Sequence, residues 1–400
     1  MAMMTHICWV SLCLISLSSW ILTFVSPVGA YTALSDESLK RLPRPGTDFD
    51  IHKGALLAPI LRPRVSGTPG SRAVLEHFAS FFRTTLPKWT LELQNSTSKT
   101  PVSGNKEVPF VNLIAYRDPP NTQPGNVGRL TLVAHYDSKI EPKGFIGATD
   151  SAAPCAMIMH AIRSIDAALT KKYETINTDP HFDLNGEEYQ GIQVIFLDGE
   201  EAFREWSETD SLYGSRSLAE HMELSLYPAL STFKNPLGAI KLFVLLDLLG
   251  AEHPTIPSYF KTTHWAYQHM GLLESRLRNL GRFKTSAQGK KQGGKKKPEH
   301  DKLWFQDSHK NDGTIFSPFG VEDDHLPFMR RGVDILHIIP APFPGVWHRM
   351  DDDGEHLHME TVEDWSTLIT AFAAEWLDLE GFFEENLKTT NLDKKRKTEL

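Results

Sequence analysis

The sequence predicts an α/β fold with an open, mixed and mostly parallel central sheet that carries helices on both faces. Apolar runs of strand length alternate along the chain with segments whose apolar residues recur at helical spacing. Acidic and imidazole side chains follow several of these runs, and ligands of open α/β sheets bind beyond the carboxyl ends of the strands. With 400 residues, 40% of them hydrophobic, the chain is long enough to bury one large core.

The amino-terminal 70 residues are predicted to lie outside this core. Residues 7–25 are apolar and nearly uncharged, and residues 28–30 fit a small-residue cleavage site, so 1–30 is predicted to be a secretory signal peptide. A retained membrane anchor is the alternative. Residues 31–70 are rich in Pro, Gly and Arg without periodicity, which predicts an extended arm wrapped around the domain, with order beginning near Gly70.

Residues 71–385 are predicted to form a single catalytic domain. Its strands are expected at 109–116, 130–136, 191–198, 240–249 and 333–340. Helical patterns are found at 71–86, 152–172, 212–223 and 262–280. Ser71 is predicted to cap the first helix. A last helix is expected to begin at Thr361, which forms an approximate capping box with Asp364.

The charged segments of the chain indicate surface structure. Residues 282–297 hold seven Lys or Arg and no acid, which predicts a solvated basic loop insertion. A nuclear signal or a polyanion patch is the alternative. Residues 386–400 are expected to be a frayed charged tail. Lys397–Leu400 resembles an endoplasmic-reticulum retrieval signal but has Thr398 where Asp is usual, and a chance match in a Lys-rich tail is the alternative. The net charge of -8 and the pI near 6.1 argue against a general nucleic-acid-binding surface.

Three cysteines and one glycosylation sequon bear on export. Cys8 and Cys13 lie in the predicted leader, so Cys155 would be alone in the mature chain and no intramolecular disulfide could form there. Asn95 begins the sequon Asn-Ser-Thr, which export would make usable.

Candidate metal ligands follow the predicted strands, and two adjacent acids, Glu200 and Glu201, end the run that begins at 191. The others are His135, Asp137, Asp150, Asp247 and His348. Taken alone, His135 could be a core histidine and Asp150 a helix cap. Together, carboxylates and imidazoles suit Zn²⁺, and catalytic zinc takes three protein ligands. Adjacent acids can then divide metal binding and proton transfer.

Eight motifs together resemble the zinc-dependent glutaminyl-peptide cyclotransferases of the animal and fungal type. The resemblance runs from about residue 75 to 380, within the single predicted domain. The motifs are His-Tyr-Asp-Ser-Lys at 135–139, Gly-Ala-Thr-Asp-Ser-Ala at 147–152, Asp-Gly-Glu-Glu-Ala-Phe at 198–203, Trp-Ser at 206–207, Asp-Ser-Leu-Tyr-Gly-Ser-Arg at 210–216, Leu-Leu-Asp-Leu at 245–248, Asp-Asp-His-Leu-Pro-Phe at 323–328 and Pro-Phe-Pro-Gly-Val-Trp-His at 342–348.

This resemblance implies an acyltransferase that cyclises the N-terminal glutamine of peptides and proteins to pyroglutamate and releases ammonia, with glutamate as a candidate second substrate. It implies one Zn²⁺ per chain, with three ligands: Asp150, Glu201 and His348. Glu200 would be the general base and acid. Asp247 and Asp323 would form a hydrogen-bonded carboxyl pair that orients Glu200 and tunes its protonation.

The resemblance also implies how the substrate is held. Trp206, Phe343 and Trp347 would form the pocket walls with support from His337, and the Trp206 indole N–H would help to stabilise the oxyanion. Glu322 would lie near the substrate amine, at a position where Gln is common in the family. The partners implied are peptides and proteins with N-terminal Gln. No nucleic-acid partner is expected, and no membrane association is expected after signal cleavage. A monomer is expected, secreted or retained in the endoplasmic reticulum.

The family also carries a cysteine in many members where this chain has Ala134. That cysteine pairs with the one matching Cys155, so the disulfide is expected to be missing here and the thiol to be buried and inert.

A zinc aminopeptidase of the same fold is the main alternative function. The ligand set of the two-metal enzymes is also matched, by His135, Asp150, Glu200 or Glu201, Asp247 and His348. Cyclisation is favoured by Asp323 and Asp324 before His325, and by Trp206 and Trp347, which would narrow the pocket to one side chain.

Overall fold

The computed structural model describes residues 32–178, 189–286, 302–311 and 320–383. These residues belong to one compact unit. The predicted signal peptide at 1–30, residues 287–297 of the basic loop and the tail at 386–400 lie outside them. No helix in the described ranges is long and apolar enough to cross a bilayer.

A six-stranded mixed sheet forms the centre of the fold, in the order β1-β2-β4-β3-β5-β6. Its strands are β1 (Thr90–Ser98), β2 (Val108–Arg117), β3 (Val127–His135), β4 (Tyr189–Leu197), β5 (Ile240–Leu246) and β6 (Ile335–Ile338). The last four are mutually parallel, while β2 pairs antiparallel with both β1 and β4. The mostly parallel sheet is therefore confirmed, and the carboxyl ends of β3, β4, β5 and β6 meet at one edge.

The edge strand β1 was not predicted from the sequence. It pairs with β2 along its whole length, from Thr90 opposite Tyr116 to Ser98 opposite Val108. Its sequence lacks the apolar run that identifies the inner strands, and all of its side chains are exposed or half-buried. Asn95 of the sequon is exposed on this strand.

Helices cover both faces of the sheet, as predicted. They are α1 (Asp36–Arg41), α2 (Pro69–Thr85), α3 (Ala153–Thr178), α4 (Tyr213–Leu224), α5 (His264–Asn279), α6 (Leu326–Met329) and α7 (Met359–Trp376). Helices α2, α3, α5 and α7 pack on one face and α4 and α6 on the other. Alternate strand residues serve the two layers: Leu132 lies in the first cluster and Val133 in the second.

Two predicted caps are wrong. Helix α2 begins at Pro69, and its N-cap is Thr68, not Ser71. Helix α7 begins at Met359 with His358 as its N-cap, so Thr361 lies inside the first turn and does not start a capping box. Its intended partner Asp364 instead accepts hydrogen bonds from the backbone of 284–285.

The prediction of an extended arm at 31–70 is also wrong. Its described part contains α1 and a 3-10 turn at Gly46–Phe49, and Leu39, Phe49 and Ile60 are fully buried in the main core. These apolar residues are spaced irregularly among prolines, so they show no period even though the core receives them. The described start of the basic loop, 282–286, is not fully solvated either, because Phe283 is buried.

Candidate metal and catalytic site

The parallel strands bring the predicted site residues to one edge of the sheet. His135 is the last residue of β3, Glu200 and Glu201 follow the end of β4 by three and four residues, and Asp247 comes directly after β5. All four are buried. The ligand crevice expected of an open α/β sheet is therefore present at the predicted place.

The backbone of the two adjacent acids is fixed by Asp137. Its two carboxylate oxygens accept hydrogen bonds from the amides of Glu200, at 3.1 Å, and Glu201, at 3.2 Å. Gly199 precedes them at φ +79°, and a Cβ there would lie 2.4 Å from the ring of Phe110. Asp137 was expected to be a candidate ligand, but it positions both acids through main-chain amides instead.

Asp150, Glu201 and His348 form a cluster with ligand atoms within 4.8 Å of one another. His348 Nε2 lies 3.4 Å from Asp150 Oδ2 and 3.7 Å from Glu201 Oε2. Zinc bond lengths of about 2.0–2.2 Å place tetrahedral ligands roughly 3.3–3.6 Å apart. The first separation falls within this range and the second lies just above it. Asp150 Oδ2 and Glu201 Oε1 are buried without a hydrogen-bond partner among the described residues, which is the arrangement a cation would complete.

A lysine and two histidines adjoin these acids. The Lys139 ammonium lies 3.4 Å from Glu201 Oε2, a contact that the sequence analysis missed because residue type alone did not indicate it. Burial, followed by the charge of Asp150, raises the pKa of Glu201, and Lys139 opposes that shift. Burial would also raise the pKa of Asp150, but the neighbouring imidazoles of His135 and His348 outweigh it and lower the pKa below its usual value.

A second possible metal-ligand group shares Asp150. His135 Nε2 lies 3.0 Å from Asp150 Oδ1 and 3.4 Å from Asp247 Oδ1, and the three residues also satisfy the spacing of a metal site. Ser151 Oγ donates to the same oxygen of Asp247. The ligand geometry of a two-metal aminopeptidase is thus in place, and this geometry alone does not separate the two functions.

Behind Glu200 lies a layer of further buried acids. Burial raises the pKa of Glu200 well above its ordinary value, and the charges of Glu201, Asp323 and Asp324 add to the shift. Burial and the charge of Asp247 likewise raise the pKa of Asp323. The hydrogen-bonded pairing of Asp247 with Asp323 stays a prediction.

His337, which was expected to support the substrate pocket, does not line it. It is buried in β6, is not among the cavity-lining residues, and its Nε2 lies 2.7 Å from Asp323 Oδ2. Burial lowers the pKa of His337 to about 4, so the ring is neutral at neutral pH and can donate one hydrogen bond to Asp323. The ring therefore lies behind the acids, and the pocket wall is made by loop residues.

A cavity of about 430 Å³ opens onto Asp150, Glu200, Glu201, Asp247 and His348. The expected wall residues line it: Trp206, Glu322, Phe343 and Trp347. Leu248, Val321 and Ile339 add apolar surface that the sequence analysis had not identified. The Trp347 ring stacks on His348 at 4.0 Å between centroids, so the aromatic wall adjoins the proposed ligand. A second cavity, of about 450 Å³, lies against β1 and α4, away from these acids.

Comparison with known proteins agrees with this geometry. Residues 112–373 match the family described as Peptidase family M28. A glutaminyl-peptide cyclotransferase-like protein of Bos taurus is 38% identical over 83% of this chain and 77% of its own length. The glutaminyl-peptide cyclotransferase of Boiga irregularis is 37% identical over 81% of this chain and 80% of its own. The chain belongs to the glutaminyl-peptide cyclotransferases.

A solved structure shows the same relationship. The crystal structure of Macrostomum lignano glutaminyl cyclase superposes with a TM-score of 0.68 and 27% identity, covering 90% of this chain and 97% of that one. The resemblance read from the motifs is thereby confirmed, as is the zinc aminopeptidase-like α/β fold that it implied.

Within this cyclotransferase, Trp206 and Glu322 form a pair at the rim of the cavity. The indole Nε1 donates to Glu322 Oε2 at 2.9 Å. The expectation that this N–H faces a developing oxyanion does not hold in this arrangement, because the Glu322 carboxylate already accepts from it. Glu322 therefore holds the Trp206 side chain and adds negative charge at the mouth of the cavity.

Cys155 behaves as expected for a cyclotransferase with alanine at 134. The thiol is free and fully buried, and Sγ lies 3.3 Å from the carbonyl oxygen of His135. Burial raises its pKa to about 12, so the reactive thiolate is suppressed.

Proposed function

We propose that this protein cyclises N-terminal glutamine of peptides and proteins to pyroglutamate with release of ammonia, with glutamate as a second candidate substrate. The observation that carries this proposal is the division between the two adjacent acids. Glu201 lies in the Asp150–His348 cluster, while Glu200 opens onto the same cavity and is backed by buried acids.

The metal proposal is one zinc per chain, held by Asp150, Glu201 and His348. When bound, zinc would supply Lewis-acid polarisation of the substrate's side-chain amide carbonyl. The cavity beside the cluster leaves room for the substrate, as catalytic zinc sites require. The unpartnered oxygens of Asp150 and Glu201 support this assignment.

Glu200 is proposed to move the proton. Its carboxylate takes a proton from the substrate α-amine as the amine nitrogen bonds to the side-chain amide carbon. The bond between that carbon and its original amide nitrogen then breaks, and Glu200 returns the proton to this nitrogen, which leaves as ammonia. A carboxyl whose pKa is raised by burial suits a group that must both accept and return a proton near neutral pH.

The pocket needs only to fold one substrate residue into its attack conformation, because amine and amide belong to the same glutamine. Trp206, Phe343 and Trp347 form the aromatic wall that would hold that side chain. Glu322 would face the substrate ammonium at the rim. Asp323, held by His337, would help to orient Glu200 from behind.

We further propose a monomer that enters the secretory pathway and is either secreted or retrieved to the endoplasmic reticulum. The apolar leader, the Lys397–Leu400 tail and the exposed Asn95 sequon support this location.

Mass spectrometry of the products of a Gln-initiated peptide tests the activity. We expect an intact peptide lighter by one ammonia, with ammonia in solution, and no change in the same peptide acetylated at its α-amine. Free glutamine with a peptide shortened by one residue would replace this proposal by the aminopeptidase function, for which His135, Asp150 and Asp247 already provide a second ligand group.

A further inference from the structure

Arg64 places a buried positive charge directly behind the Asp150 loop. The side chain is fully buried, and its guanidinium donates to the carbonyl oxygens of Ile146, Gly147 and Asp150, the last two at 3.0 and 3.2 Å. Its backbone amide is itself fixed, since it donates to Ser138 Oγ at 2.9 Å. A buried cation is stable only where acceptors surround it. Three of the four main-chain oxygens that accept from Arg64 belong to this loop, and the fourth is that of Arg62, at 3.5 Å.

The loop from Gly147 to Asp150 needs such a donor. Gly147 has φ +64°, and a Cβ there would lie 2.2 Å from the carbonyl oxygen of Asp150, so the two ends of this turn approach very closely. The carbonyl oxygens of Ile146, Gly147 and Asp150 all lie within reach of one guanidinium, and oxygens brought together in this way repel each other unless a donor lies between them. The fork of the Arg64 guanidinium can serve several acceptors at once, which a lysine ammonium on a single stem does less well.

Asp352 holds the same loop from its other side. Its carboxylate accepts from the amide of Thr149 at 2.7 Å, and its carbonyl oxygen accepts from the amide of Ala148 at 3.0 Å. The loop's carbonyl groups therefore bind a cation, and its amide groups bind an acid. Asp352 follows His348 by four residues, so this contact also links the loop to the segment that carries a second proposed ligand.

Arg64 and Asp352 together form a clamp on the backbone of 146–150, and the direction of the Asp150 carboxylate follows from it. Oδ1 lies 3.0 Å from His135 and Oδ2 lies 3.4 Å from His348, so a small rotation of the loop would move the oxygen assigned to zinc. We infer that Arg64 is a positioning residue for the zinc ligand Asp150, acting with Asp352 through the backbone of 146–150. This inference rests on the proposed zinc site. Arg64 lies before the M28 match, which starts at 112, so the amino-terminal segment contributes to the site.

Zinc affinity, measured by competition with a chromophoric chelator, tests the inference in the full-length protein. The variants are Arg64→Lys and, as a control, Arg117→Lys. Arg117 is also buried and donates to the carbonyl oxygen and the carboxylate of Asp166, away from the site. Loss of a group that orients a metal ligand typically weakens metal binding about 10–100-fold, and we expect a rise of that size in the zinc dissociation constant of Arg64→Lys. We expect no rise for Arg117→Lys, although both variants should unfold at lower temperature.

A second readout separates positioning from general stability. Turnover lost in Arg64→Lys should recover as zinc is raised, at a temperature where circular dichroism shows the zinc-free variant to be folded already, so that recovery reports metal binding and not refolding. An unchanged zinc dissociation constant in folded Arg64→Lys, or a rise equal to that of Arg117→Lys, would overturn the inference. Should Arg64→Lys fail to fold, Asp352→Ala is judged by the same criterion, because it removes the acceptor of the Thr149 amide.

The wild-type protein distinguishes this inference from the proposed function. If it binds zinc, loses affinity in Arg64→Lys and yet releases no ammonia from a Gln-initiated peptide, the clamp stands and the cyclase activity is wrong. If it releases ammonia while Arg64→Lys binds zinc as tightly as wild type, the activity stands and the clamp is wrong.

Discussion

Two groups of buried acids show how a carboxylate that builds the fold differs from one that serves the site. Glu274 on α5 is fully buried, and both of its oxygens accept hydrogen bonds, from Arg278 and from the amides of Trp304 and Phe305, at 2.8–3.2 Å. At the sheet edge, Asp150 and Glu201 are just as buried, yet each has an oxygen without a hydrogen-bond partner among the described residues.

The difference lies in what completes each group. Burial of an acid is costly unless donors, a proton or a cation compensate it. Around Glu274 the protein supplies the donors itself, so that acid is structural. Around Asp150 and Glu201 the described part of the protein leaves one oxygen of each acid without a donor, and both acids lie with His348 beside a cavity, so they form a site for a cation.

The largest effect should come from removing a converging acid. We expect Asp150→Ala to lose zinc and to reduce turnover by more than about 10²-fold, since even residues that only orient ligands are worth about 10–100-fold. Metal analysis of the purified protein beside a turnover assay measures both. Undiminished zinc content would remove Asp150 from the ligand set.

Removing the metal should have the next largest effect. A ligand present at about 1,000 times its dissociation constant stabilises the folded state by about 4 kcal/mol, so chelation should lower the unfolding temperature and zinc should restore it. Differential scanning calorimetry with and without chelator tests this. An identical unfolding temperature in both conditions would mean that the converging acids do not bind zinc tightly.

Glu274→Gln should affect stability only. The neutral amide removes the ion pair with Arg278 and replaces one acceptor oxygen facing two buried amides by an NH₂ group, for an expected loss of about 1–3 kcal/mol in the free energy of unfolding. Urea unfolding gives the loss, and metal analysis should show zinc content equal to that of wild type. A drop in zinc content would break the distinction between the two groups of acids.

The smallest effect is expected at the rim. Glu322→Gln keeps an acceptor for the Trp206 indole but removes the charge near the substrate ammonium. Exposed ion pairs contribute about 1 kcal/mol or less, so KM for a Gln-initiated peptide should rise by about fivefold or less while kcat stays unchanged. The rise should shrink at high salt. A fall in kcat at constant KM would instead place Glu322 in the chemical step.

The sequence predicted this site well because parallel strands deliver their end residues to one edge. Glu200, Glu201, Asp247 and His135 lie where that rule places them. Contacts between side chains and the main chain could not be predicted from the sequence. Arg64, for example, donates to three carbonyl oxygens of the 146–150 loop. Such contacts depend on loop geometry, and any residue can supply the carbonyl oxygen, so no pair of residue types reveals them.

The same limit applies to the fold. The five apolar strands could be predicted, whereas β1 owes its structure to pairing with β2 and has little apolar content of its own. The amino-terminal segment was misjudged because its buried residues, Leu39 and Phe49 among them, follow no period.

The most direct test of the account compares Glu200→Gln with Glu201→Gln in parallel, with zinc content and ammonia release measured on the same preparations. We predict that Glu200→Gln keeps about one zinc per chain and loses turnover by about 10²–10⁴-fold, the range of general acid–base catalysis. We predict that Glu201→Gln loses the zinc. Zinc retained by Glu201→Gln and lost by Glu200→Gln would contradict the division of roles between the two acids.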